Sequence, residues 1–100
     1  MDRLQLQQDL EDLLGSGNVY FQPPASVKME YPAIVYARDD LDTKFADNAP
    51  YNLATRYQVT VIDRNPDTEI PLAIAHLPMS DLSNIFVAEN LNHYVFFLYA

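Results

Sequence analysis

One hundred residues make one domain, and a chain this short hides only about 60–65% of the surface its unfolded form exposes. With 49% hydrophobic and 12% aromatic residues, the composition is too apolar for a disordered chain. Fourteen acidic residues against six basic ones leave a net charge of −8, which argues against gripping nucleic acid through its phosphates or lying on an anionic membrane.

The chain has no cysteine, so a disulfide framework, a thiolate metal site and a thiol nucleophile are excluded. Its N-terminal MDRLQLQQDLEDLL is too charged for a signal peptide, and no apolar run approaches the ~18 residues of a membrane-spanning helix. The expectation is a soluble intracellular protein with residues 1–100 as a single domain.

Residues 2–14 read as a helix. Leu6, Leu10, Leu13 and Leu14 recur at helical spacing, Asp2 offers a cap, and Gly15 supplies a stop. Its polar face is acidic, which favours packing on a core over lying on a lipid surface. Gly15-Ser16-Gly17 is a turn. Asn18 to Gln22 suit a short strand that Pro23-Pro24 ends.

Tyr31-Pro32 leads into a strand over residues 33–38, with Ile34 and Tyr36 on one face. The polar stretch 39–50 is long for a hairpin loop, which usually takes about two to five residues. It reads as a projecting β-arm made by the flanking strands, with an irregular loop as the alternative. From Thr55 the chain alternates: Thr55, Tyr57, Val59, Val61 and Asp63 share one face. That is the period of a strand buried mainly on one side, and it predicts the central strand. Asn65-Pro66-Asp67 stops it.

Residues 68–77 suit a short helix capped by Asp67 or Thr68, with Pro71 in its first turn and Ile70, Ala73, Ile74 and Leu77 inward. Residues 84–88 and 91–99 read as a hairpin turning at Glu89-Asn90. The last strand is apolar on both faces, so it should be internal or covered. Together these predict an α+β fold: a mixed or antiparallel sheet of four to five strands flanked by two helices.

No chemistry-bearing constellation stands out. His76 and His93 lack an HxxxH or HExxH context and read as structural or surface residues. Asp39, Asp40, Asp42 and Asp47 form the densest acidic cluster, but the glycine and the closing glutamate of a calcium loop are missing. No nucleophile elbow is present. The residues point away from an enzyme and imply no metal and no cofactor.

The segments VYFQPP (19–24), YPAIVY (31–36), DTKFADN (42–48), RYQVTVIDRNPD (56–67) and ENLNHYVF (89–96) resemble a family of small proteins of long-tailed bacteriophages and prophages. These are the tail-completion, tail-terminator or head–tail joining (neck) proteins, and the likeness spans almost the whole chain. The resemblance implies a tail-terminator-like fold and a homo-oligomeric, hexameric ring. Such a ring caps the tail tube, contacts the tail tube protein, and presents a surface to the head–tail connector. It implies a protein made in the bacterial cytoplasm and located in the virion, with double-stranded DNA passing through the lumen without specific binding. An acidic lumen suits that passage, because it repels the duplex.

Other neck, tail-tube or head-closure roles are alternatives, as is a monomeric acidic module that inhibits a host protein. The candidate subunit interface is the arm, through Asp39, Asp40, Leu41, Asp42, Lys44, Phe45 and Asp47. An aromatic anchor among charged residues is a common interface composition. The competing expectation is that Phe45 folds back on its own core.

Overall fold

A computed structural model describes residues 3–46, 49–77 and 80–99, with side chains for all of these except 39–54. The chain forms α1 (Arg3–Leu14), β1 (Val19–Phe21), β2 (Ala33–Ala46), β3 (Ala49–Asp63), α2 (Ile70–Ala75), β4 (Ser80–Ala88) and β5 (Leu91–Tyr99). The five strands make one sheet in the order β1-β2-β3-β5-β4. β1 runs parallel to β2, and every other neighbouring pair is antiparallel. The fold is α+β with a mixed sheet and two helices, as the patterning predicts.

β3 stands at the centre because its alternation serves one buried face. Tyr57, Val59 and Val61 are buried there, beside Ile34 and Tyr36 of β2 and Phe96 and Leu98 of β5. Leu6 and Leu10 of α1 and Ile74 of α2 join the same cluster, with Leu13, Leu14, Ile70 and Leu77 packed around it. Both helices therefore cover one face of the sheet. Each fully buried aliphatic side chain contributes about 1.5–3 kcal/mol over its exposed state, so this layer holds the molecule together.

α1 is stabilised along its outer surface by glutamine–carboxylate pairs four residues apart. Gln5 donates to Asp9 at 2.9 Å, Gln7 to Glu11 at 3.2 Å and Gln8 to Asp12 at 2.9 Å. Gly15, at φ +79°, ends the helix by donating its N–H to the Glu11 carbonyl. The proposed Asp2 cap lies outside the described residues.

The bounds of α2 and β4 differ from expectation. α2 is only six residues, and its N-cap is Glu69, which makes no side-chain cap bond. Thr68 instead accepts a 3.4 Å bond from the Ile70 N–H, while Asp63 and Asn65 close successive turns on the N–H groups of Asn65 and Asp67. Those side chains hold the loop as Asx turns and delay the helix. Ala73 is exposed rather than inward, because a helix this short presents a single buried row, here led by Ile74.

β4 begins at Ser80, four residues before the expected Asn84. The Ser80 hydroxyl lies 3.0 Å from the Ile74 carbonyl and 2.9 Å from that of Leu77, so this residue both caps α2 and opens the strand. The hairpin turns at Glu89-Asn90, where both residues have positive φ, as the twisted two-residue turn requires. β5 is internal, between β3 and β4.

Candidate functional site

β2 and β3 outrun the rest of the sheet. β1 pairs with β2 only as far as Phe21↔Tyr36, and β5 pairs with β3 only as far as Tyr99↔Arg56. Beyond those points the two long strands pair with each other alone among the described residues, from Leu41↔Thr55 through Thr43↔Leu53 to Ala46↔Ala49. The stretch is therefore a β-ribbon and not an irregular loop.

At about 3.3 Å per residue, the six residues 41–46 reach on the order of 20 Å past the sheet. The molecule is correspondingly long, with principal extents of 50 × 25 × 23 Å. Its radius of gyration is 14.6 Å, above the roughly 13 Å of a compact chain of this length.

The pairing register steps between Arg38 and Asp40, where the ribbon leaves the sheet, and again between Lys44 and Phe45 near its tip. Steps of this kind bend a strand and increase its twist. Asp39 falls in the first step, and Asp40, Leu41, Asp42, Lys44 and Phe45 pair through their backbones with Arg56, Thr55, Ala54, Asn52 and Pro50. The structure thus brings six of the seven proposed interface residues onto one strand. Their side-chain placement, including whether Phe45 folds back, lies outside the described residues, as does Asp47 altogether.

A ribbon of two strands is marginal in water without a covering layer. Both of its outer edges carry backbone N–H and C=O groups available for pairing. What such an arrangement can do is recognise another protein chain.

A second exposed feature lies at the far edge of the sheet. Leu82, Ile85, Phe86 and Val87 of β4 are 47%, 56%, 41% and 68% exposed. Sequence patterning missed this, since five residues reading NIFVA look like any half-buried strand. On the face away from the helices, the Phe86 ring stacks on His93 at 4.6 Å and the Arg56 guanidinium sits 4.6 Å over the Phe97 ring.

The two histidines hold structural positions. His76 is the exposed C-cap of α2, and His93 has its Nδ1 3.0 Å from the Leu91 carbonyl oxygen. Among the described residues, no group of three or more His, Asp or Glu side chains is placed to hold a metal ion, and no helix is long and apolar enough to cross a membrane. No family model, curated protein or solved structure matches the chain.

Proposed function

We propose that this chain is a structural subunit of a tailed-phage virion, a tail terminator that assembles through its β-arm into a ring capping the tail tube. The reading starts from the segment resemblances in residues 19–96. The observation that carries it is the ribbon of β2 and β3, which leaves the sheet with no covering layer among the described residues. An arm of this kind lets each subunit reach its neighbour in a head-to-tail contact, and such contacts close into rings. The partners of the ring are the tail tube protein on one side and the connector on the other. The net charge of −8 suits a lumen through which DNA slides. This role needs no cofactor, metal or catalytic group.

The test pairs assembly with stability. Wild-type protein is expected to form rings of uniform stoichiometry by electron microscopy and light scattering. Phe45→Ala should abolish them while lowering the melting temperature by no more than about 2–4 °C, the shift that a loss of ~0.5 kcal/mol produces in a domain of this size. Normal rings with a clearly lowered melting temperature would place Phe45 in the subunit's own core and remove the arm from the interface. A chain that forms no ring, alone or with tail tubes, overturns the terminator reading in favour of the monomeric acidic module.

A further inference from the structure

The sheet has two outer strands, and they are built differently. β1 is three residues long and runs into Pro23-Pro24, a short and proline-blunted edge. β4 is nine residues long, contains neither proline nor lysine, and has Asp81 as its single charge. Residues 82–88, LSNIFVA, carry no charge at all.

The hydrogen-bonding phase of β4 follows from its hairpin. In a two-residue turn the flanking pair, here Ala88↔Leu91, is hydrogen-bonded, and the pattern alternates from there. Phe86↔His93 is then a bonded pair, while Ile85 and Val87 direct their N–H and C=O groups away from β5. One side-chain contact agrees independently. The Ile85 N–H donates to the Oδ1 of the exposed Asn84 at 2.9 Å, so it is not spent on β5.

We propose that β4 pairs antiparallel with β4 of a second copy, about a two-fold axis through Phe86, to make a continuous ten-stranded sheet. In this register Ile85 of one copy faces Val87 of the other, twice, and each such pair exchanges two hydrogen bonds between groups already pointing outward. Phe86 meets its symmetry mate in a non-hydrogen-bonded pair, where side chains approach most closely. The Asn84 side chain gives up the Ile85 N–H on pairing.

A second copy fits better than a charged peptide, because the segment is its own complement. The outward-facing residues flank Phe86 symmetrically, both are β-branched, and no carboxylate meets another. Glu89 falls opposite Ser83 of the second copy, and Asp81 lies beyond the register step between Leu82 and Asn84. A basic or acidic strand would find no opposite charge along residues 82–88.

The four exposed apolar side chains lie on both faces of β4, Leu82, Ile85 and Val87 on the helix side and Phe86 on the other, and together present on the order of 400 Å² per copy. Even complete burial of them in two copies would cover only roughly 800 Å², below the ~1,200 Å² of a stable interface, so the dimer is concentration-dependent. Two chains of −8 repel, and salt therefore strengthens it. The contact closes after two copies. It is distinct from the arm contact of a ring and does not depend on that reading.

Sedimentation from about 10 µM to about 1 mM, the range in which weak pairing is read, should show a monomer–dimer equilibrium that added salt shifts toward dimer. Val87→Lys, at an exposed position, should weaken it at least about tenfold with the fold intact by circular dichroism. The chain has no cysteine, so single thiols report the register. At a non-hydrogen-bonded pair the Cα atoms lie ~4.5 Å apart, within disulfide range. Phe86→Cys should therefore oxidise to a covalent dimer at least about tenfold faster than the equally accessible Leu82→Cys. A wild-type chain that stays monomeric throughout overturns the proposal, as do equal cross-linking rates. Dimers that Phe45→Ala dissolves and Val87→Lys spares also overturn it, and give the contact to the arm instead.

Discussion

Replacing Tyr36 with Phe removes one oxygen from the point where α1 is tied to the sheet. The ring is fully buried, 4.9 Å from Phe21 and 6.0 Å from Tyr57, and its packing survives the change. What is lost is a polar node. The Tyr36 hydroxyl donates to the Gln7 Oε1 and accepts from Arg3 Nη1 at 3.2 Å, while the Gln7 amide donates to the Val19 carbonyl at 3.1 Å. One hydroxyl thus connects α1 with both β1 and β2.

A hydrogen bond contributes about 0.5–1.5 kcal/mol net, and leaving a buried partner unmet costs about 1–3 kcal/mol. Gln7 is only half-buried, so water can reach its freed oxygen and the lower half of that range applies. We expect a loss of about 1–2 kcal/mol, which at 4–8 °C per kcal/mol lowers the melting temperature by roughly 5–15 °C. Urea unfolding followed by circular dichroism measures it, best as a cycle with Gln7→Leu and the double variant. The two changes should couple by at least about 0.5 kcal/mol. A Tyr36→Phe variant within ~0.3 kcal/mol of wild type, or strict additivity in the cycle, would refute the role assigned to this node.

Val59→Asp places a carboxylate at a position of 0% exposure, at a cost of several kcal/mol; the variant should not fold, and a soluble, cooperatively melting protein would contradict the assignment of that face. Gly15→Ala should cost about 1–2 kcal/mol by strain at φ +79°, since no atom lies within 4 Å of an added Cβ. Gly17→Ala, with equally open surroundings and no positive φ, is the control and should be neutral or slightly stabilising in the same melts.

Local order was legible wherever a single periodicity governed a stretch. Leu6 and Leu10 at helical spacing, and Tyr57, Val59 and Val61 at spacing two, identify their own buried faces, because burial on one side imposes the period of the element. β5, apolar on both sides, announced an internal or covered position, and it lies between β3 and β4. Which strands lie at the edges depends on contacts far apart in the chain, and only the tertiary structure decided it. β4 looks like any half-buried strand in sequence, and its exposure follows from standing last in the order β1-β2-β3-β5-β4. The ribbon over 39–50 was one of two sequence expectations, beside an irregular loop, and the pairing of β2 with β3 decides between them. Asp-rich residues 39–46 have little intrinsic preference for a strand, yet they continue β2 because β3 runs alongside and pairs with it through two register steps. Pairing is a property of two segments together, so neither one displays it alone.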